Sequence, residues 1–394
     1  MKHNILIVCR SLPIHTLGGM ELITLDLVSE LAKNSNNDVT VLTTDIEPEK
    51  KQQNENFAVS YVAGSPSAKY SRYWWSRSSL EARKIILEKN IDSVISVSSG
   101  AYEIVKLKKE FPNVKFIFQA HGTSLGEIVS KFRSKNIKSI IGSARNFSWI
   151  VKDILSYNRF DKIVAVGGHV YKQLTSGILS HFFEKNKCVC INNGVDNALF
   201  GYDENRRLLK RSEHDIETNI KVFLSVSRLH KQKGVLSAIK LFNEYRNLNK
   251  HSFLIIVGDG PHRKQIQEYV HSLGIADSVL LVGNKTRVQI SEYLSASDCL
   301  LFLSDRIEVG LTLNMLEALT SGLPIVVGNN FKTTIDNPGA LNNLIFSTNV
   351  NEIDCKIQEG LEKRSSFVTN DYSLSTMANK YQTLLDRMMS NKSQ

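Results

Sequence analysis

The stretch Lys221-Val-Phe-Leu-Ser-Val-Ser-Arg-Leu-His-Lys-Gln-Lys-Gly234 decides the fold. Its first seven residues form a short, mostly apolar run of the kind that fills a strand buried on both faces, as parallel sheets require. Behind it come two fixed cations, Arg228 and Lys233, then Gly234 and a helical pattern over Val235–Asn247. In open parallel sheets, ligands bind at the carboxyl ends of the strands. Gly234 allows close backbone approach there, and the N-terminus of the following helix adds partial positive charge. Strand, cationic loop and helix together suit an anionic ligand.

The same alternation extends in both directions. The second half offers strands at Phe253–Val257, Val279–Val282, Cys299–Leu303 and Ile325–Val327, with helices at His262–Leu273, Val288–Ala296 and Asn314–Thr320 between them. The first half offers strands at Asn4–Cys9, Val39–Thr43, Ala58–Val62, Ser93–Val97, Lys115–Gln119, Lys162–Val166 and Val189–Asn192. Its helical patterns are Met20–Lys33, Leu80–Lys89, Glu103–Lys109, Ser143–Ser156 and Val170–Ile178. Such alternation predicts an α/β chain with two doubly wound parallel sheets. The expected units are 1–197 and 220–372, joined by a mixed-charge linker over 198–219, with an amphipathic stretch at 373–389.

Length supports two units, since 394 residues exceed what one core usually serves. No apolar run reaches the ~18–20 residues that span a bilayer, and Ile5–Cys9 is too short for a secretory leader. The expectation is a cytoplasmic protein with five buried, reduced cysteines, because their spacings fit neither a metal site nor a bridge. The net charge of +10 is uneven: residues 1–200 carry 26 Lys and Arg against 18 Asp and Glu, whereas 201–394 carry 23 against 21.

Further motifs fall on the same strand edges. Gly258-Asp-Gly-Pro261 makes a tight turn after Phe253–Val257. Gly18-Gly19-Met-Glu21 precedes the first helix and is neither a dinucleotide fingerprint nor a phosphate loop with its lysine. His121, in Gln119-Ala-His-Gly122, and His169, in Val166-Gly-Gly-His169, each follow a strand. Glu308 and Glu317 are nine residues apart, so on one helix they would face opposite ways. They serve one ligand only if Glu308 precedes the helix, with Gly310 and a Thr312 or Asn314 cap between them.

In register over nearly the whole chain, these pieces resemble the GT-B retaining glycosyltransferases of family 4. The glycine loop Gly18-Gly19, His121, Asn193-Gly-Val-Asp196, Arg228 with Lys233-Gly234, Gly258-Asp-Gly-Pro261 and Glu317-Ala…Gly322-Leu-Pro324 carry the resemblance. It implies two Rossmann-like domains facing an interdomain cleft, an N-terminal one for the acceptor and a C-terminal one for a nucleotide sugar. It also implies that the last helix, 373–389, crosses back to the first domain. By resemblance, Arg228 and Lys233 neutralise the donor diphosphate without a metal, and no cofactor is expected. Gly258 shapes the donor site, Glu317 holds the ribose, Glu308 touches the donor sugar, and His121 and Gly19 lie near sugar and phosphate. One departure stands out: the family places seven residues between its two glutamates, whereas eight separate Glu308 from Glu317, so strict spacing selects Val309.

The implied reaction moves a sugar from a nucleoside diphosphate to an acceptor hydroxyl, with a glycan or lipid-linked glycan as acceptor and bacterial surface polysaccharide as the pathway. The segments Lys69–Lys89, with Tyr70, Arg72, Tyr73, Trp74, Trp75, Arg77, Arg83 and Lys84, and Lys131–Lys138 mix cations with aromatics. Such faces bind anionic headgroups, making an anionic membrane surface a further expected partner. No zinc, helix-turn-helix or RNA-recognition signature is present, so nucleic acid is not an expected partner. A sugar-nucleotide epimerase of similar fold, or a silent subunit, are the competing readings.

Overall fold

The computed structural model describes residues 2–51, 54–124, 144–305, 308–332, 342–364 and 370–390. The chain divides into two compact units, residues 1–194 with 371–394, and residues 195–370.

The first unit holds strands β1 (His3–Val8), β2 (Asn37–Thr44), β3 (Ala58–Val62), β4 (Ser93–Val97), β5 (Lys115–Ala120), β6 (Lys162–Ala165) and β7 (Cys188–Cys190). They form one sheet in the order β3-β2-β1-β4-β5-β6-β7, every pair parallel, with Ile5 opposite both Val39 and Ser93. The connecting helices are α1 (Gly19–Lys33), α2 (Arg72–Lys89), α3 (Ala144–Tyr157) and α4 (Gly168–Thr175). The direction of winding reverses between β1 and β4, and this is the switch point where ligands of such sheets bind. The core beneath it packs Leu6, Val94, Phe116, Phe118 and Ile163 against Trp74 of α2.

The second unit opens with α5 (Asn197–Phe200) and α6 (Glu204–Glu213). Strands β8 (Lys221–Val226), β9 (Ser252–Val257), β10 (Val279–Gly283), β11 (Cys299–Phe302), β13 (Ile325–Val327) and β15 (Leu344–Ile345) make a parallel sheet ordered β10-β9-β8-β11-β13-β15. A separate two-strand pair joins β12 (Glu308–Val309) to β14 (Phe331–Lys332). Helices α7 (Val235–Leu248), α8 (Arg263–Ser272), α9 (Arg287–Ala296), α10 (Leu313–Thr320) and α11 (Val350–Glu362) complete the unit. Here the winding reverses between β8 and β11.

The last helix, α12 (Leu374–Ser390), belongs to the first unit. His3 Nε2 meets Asp386 Oδ1 at 2.7 Å, Asn37 Nδ2 donates to Gln382 Oε1 at 2.9 Å, and Gln119 Nε2 donates to Tyr381 Oη at 2.7 Å. A Cβ on Gly194 would stand 2.4 Å from the Ser373 carbonyl oxygen, so only glycine admits the returning chain.

Several expectations need correction. Residues 198–219 are not a bare linker, because α6 is fastened to the second unit through buried guanidinium groups. Arg211, 2% exposed, donates to Asp298 Oδ2 at 2.7 Å and to four carbonyls, and Arg207 donates to Asp298 Oδ1 at 2.7 Å. The helix expected from Leu80 begins eight residues earlier at Arg72, where Ser71 Oγ accepts from Trp74 N as an N-cap. Residues 104–109 form a 3₁₀ segment instead of an α-helix. Strand β15 and helix α11 went unread. Cys9, Cys188 and Cys299 are buried thiols, but Cys190, at the end of an edge strand, and Cys355 are exposed. Trp74 is core and Trp75 only partly buried. The basic run Lys131–Lys138 and most of Gly328–Asn343 lie outside the described residues.

Candidate functional site

In the second unit, three loops at the carboxyl edge of the sheet press backbone against backbone. Leu229 N donates to Asp259 O at 2.9 Å and His262 N to Leu229 O at 3.1 Å, tying the loop after β8 to the loop after β9. A Cβ on Gly258 would stand 1.9 Å from Ser227 O, and one on Gly260 would stand 2.5 Å from Leu229 O. On the other side, Gly234 takes φ +65°, and its Cβ would stand 1.8 Å from Leu303 O at the end of β11. Asp305 N and Ser304 Oγ both donate to Gln232 O. The glycines are there because carbonyls fill the space a side chain would take.

This clamp sits at the β8–β11 reversal and presents the two cations. Arg228 is exposed directly after β8, and Lys233 is half-buried at the end of a 3₁₀ turn, Lys231–Lys233, that runs into α7. Helix α10 enters the same edge, since Asn314 Nδ2 donates to Val226 O at 2.8 Å. Thr312 occupies the N-cap position without a side-chain cap bond. Glu317, one turn further, is 4% exposed and lies 3.6 Å from Arg287 Nη2 of α9. The guanidinium beside it offsets the charge of this buried carboxylate. Glu308 lies outside α10, in β12, with Gly310 at φ +79° between them. That removes the opposite-face objection, since the two glutamates do not share a helix.

In the first unit, Gly18 is the N-cap of α1 and Gly19 its first residue. A Cβ on Gly18 would stand 2.4 Å from Glu21 Oε2, so the glycine makes room for a carboxylate. Glu21 is buried, accepts from Ser11 Oγ at 2.7 Å, and lies 3.5 Å from Arg10 Nη2.

His121 follows β5 and is half-buried. Burial lowers its pKa to about 4 despite the opposing charge of Glu21, so the ring is neutral at pH 7. Its Nε2 lies 3.1 Å from Gln119 Oε1, and the amide nitrogen of Gln119 is already committed to Tyr381 Oη. The amide oxygen can only accept, so Nε2 carries the proton and Nδ1 is left as an acceptor. His169, by contrast, is engaged by Gln173 Nε2 at 2.9 Å within α4. Asp196 of the Asn-Gly-Val-Asp motif caps α5 through Ala198 N and Leu199 N.

Sequence reading missed that Arg10 and Ser11 converge on the buried Glu21, and missed the contacts made by Gln119, Tyr381, Arg287 and Asn314. Glu21, Gln119 and Asn314 stood within stretches already singled out; their partners lie 10 to 262 residues away along the chain, beyond any spacing pattern.

Two sequence families match. Glycosyl transferases group 1 covers residues 207–366, and Glycosyltransferase Family 4 covers residues 17–199. Among curated relatives, the chain is 25% identical over 284 residues to an uncharacterized glycosyltransferase, MJ1059, of Methanocaldococcus jannaschii, spanning 66% of this chain and 68% of that one. It is 29% identical over 262 residues to the UDP-Gal:alpha-D-GlcNAc-diphosphoundecaprenol alpha-1,3-galactosyltransferase of Escherichia coli, spanning 63% and 64%. Among solved structures, a glycosyltransferase from Rickettsia africae ESF-5 superposes with TM-score 0.70 at 18% identity, covering 99% of both chains. Anabaena Alr3699/HepE in complex with UDP and glucose gives TM-score 0.65 at 16% identity, over 97% of this chain and 99% of that one. Two parallel Rossmann-like sheets, glycine-clamped loops at the β8–β11 reversal, and two family matches that cover most of the sequence agree: the chain belongs to the GT-B glycosyltransferases of family 4.

Proposed function

We propose that the protein transfers a sugar, with retention of anomeric configuration, from a nucleoside diphosphate sugar to the hydroxyl of a lipid-linked glycan in bacterial surface-polysaccharide assembly. The observation that carries this reading is the cationic clamp after β8, where a loop with no room for side chains at Gly234, Gly258 and Gly260 presents Arg228 and Lys233. Negative charge builds on the departing diphosphate as the glycosidic bond breaks. Fixed cations and the positive end of α7 are already in place to receive it, so little reorganisation is needed at that moment. The same cations could meet that charge without a metal. Among the described residues, no cluster of three or more His, Cys, Asp or Glu is arranged to hold one.

The buried Glu317 would hold ribose hydroxyls, and neutral His121 would accept from a sugar hydroxyl through Nδ1. Glu308 would meet the donor sugar, and the Gly18-Gly19 backbone at the start of α1 would accept an anionic group. The donor class is supported by the UDP-bound neighbour, and the acceptor class by the diphosphoundecaprenol-specific relative. No described helix is long and apolar enough to cross a membrane. A lipid-linked acceptor would then be met from the cytoplasmic face, at an anionic membrane surface.

The test is donor hydrolysis in the absence of acceptor, measured over a panel of nucleoside diphosphate sugars. Arg228→Ala should lower the rate about 10²–10³-fold while the unfolding temperature stays unchanged, because Arg228 is exposed. Near-normal turnover in that variant refutes the assignment. Release of an epimerised sugar nucleotide would indicate an epimerase instead.

A further inference from the structure

A second basic site lies in the first unit, on the faces of α2 and α3. Helix α2, the 3₁₀ segment 104–109 and helix α3 enclose an open pocket of about 470 Å³. Arg72, Lys106, Lys152 and Arg159 line it, over a floor that includes Trp75 and Tyr102. One carboxylate, Glu103, shares the pocket and is paired with Lys106. Arg72, Lys152 and Arg159 have no carboxylate partner among the described residues. Nearby basic residues do: Lys108 pairs with Asp161 and Arg83 with Glu110. Helix α2, helix α3 and the turn after α3 thus bring three positive charges to one concavity without a carboxylate to offset them, an arrangement that opposes itself electrostatically until an anion enters.

The floor is equally informative. Trp75 and Tyr102 lie with ring centroids 6.4 Å apart, stacked at 21°. Leu155, at the rim, and Val151, one turn before it on α3, are 56% and 57% exposed. An apolar strip thus leads out of a cationic cavity, matching a molecule with a phosphoryl head and an apolar tail. The pocket is also bonded to the loop that carries His121. Tyr102 Oη donates to Asp153 Oδ1 at 2.6 Å, and Asp153 Oδ2 accepts from Ser124 N at 3.1 Å.

We propose that this pocket binds the phosphate or diphosphate group of an amphiphilic, lipid-linked molecule, with the tail laid along Leu155 and Val151. The proposal rests on the glycosyltransferase reading for its role, as the site that seats the acceptor's lipid carrier. The binding itself stands without that reading.

The test uses the whole protein and three probes: farnesyl diphosphate, inorganic diphosphate, and phosphatidylcholine vesicles with or without phosphatidic acid. All three tryptophans, Trp74, Trp75 and Trp149, lie in the first unit, as the pocket does, and Trp75 lines it, so their fluorescence reports on that unit. Farnesyl diphosphate should perturb that fluorescence. Arg72→Gln/Lys152→Gln should weaken its binding roughly tenfold or more, with vesicle binding lowered in parallel and donor hydrolysis unchanged. A control of equal charge, Lys185→Gln/Lys187→Gln, should bind like wild type. Equal binding in the pocket variant, or equal loss in the control, overturns the proposal. Inorganic diphosphate binding as tightly as farnesyl diphosphate would make the ligand a free anion and overturns the lipid assignment. Should donor hydrolysis be absent from every variant while pocket-dependent binding persists, the catalytic reading fails and the pocket stands.

Discussion

The link from α12 to the candidate histidine can be cut at a single atom. Tyr381→Phe removes the hydroxyl that accepts from Gln119 Nε2, and each of the two residues is only 1% exposed. The amide nitrogen then sits in the core without an acceptor and with no route to water, costing about 1–3 kcal/mol. Gln119→Leu strands the Tyr381 hydroxyl instead and takes away the His121 partner, at a similar cost. Both changes together leave neither the amide nitrogen nor the Tyr381 hydroxyl orphaned, and only the His121 ring still lacks its partner. The double variant should therefore be more stable than the sum of the singles predicts, by about 1 kcal/mol or more. Urea unfolding followed by tryptophan fluorescence is the assay, since all three tryptophans report the first unit alone. Strict additivity would refute the bond as an energetic link. Nitrogen-15 shifts of the His121 ring supply an independent readout. Wild type should show the Nε2–H tautomer, and Tyr381→Phe should weaken that preference by freeing the amide to turn. An Nδ1–H tautomer in wild type would mean that the amide points the other way.

Three other outcomes are expected. The unfolded chain protonates its histidine near pH 6.5 and the folded His121 only near about 4. The resulting stabilisation of the first unit is therefore complete above 6.5 and is lost as the pH falls toward 4. Urea midpoints of His121→Asn should decline less steeply than wild type across that window, and identical slopes would count against the burial argument. Gly234→Ala must hold φ +65° with a Cβ directed at Leu303 O. It should cost the second unit at least about 2 kcal/mol by calorimetry and weaken nucleotide binding with it; a wild-type melting profile would contradict the clamp. Asp298→Ala leaves the Arg211 and Arg207 guanidinium groups and Val222 N without their shared acceptor. A loss of about 3–5 kcal/mol is expected, and a neutral effect would show that α6 is held by other contacts.

Much of the site was legible because its chemistry is local. Arg228, Lys233 and Gly234 follow one strand within eight residues, and a strand's end, a glycine and a helix start all leave short-range marks. Glu308 lies in the short strand β12, off the helix that carries Glu317. What the spacing could not reveal is why three glycines are needed, since the atoms they avoid are the carbonyls of Ser227, Leu229 and Leu303. Nor could it show that Arg287 would lie beside Glu317, or that Tyr381 would set the proton of His121.

By itself the sequence determined the two strand-helix alternations, nearly all of their strands, and the loops that carry charge. Hydrophobic period and turn chemistry act over a few residues and survive without the fold. Only the tertiary structure decided the strand order, the two reversals that select β1–β4 and β8–β11, and the contacts that seat α12 on the first unit, a return the family resemblance had implied. It alone showed that residues once read as a linker are bolted down by Arg207 and Arg211. These are contacts between residues dozens to hundreds of positions apart. Their energies come from burial and paired charge, which exist only after the chain has closed on itself.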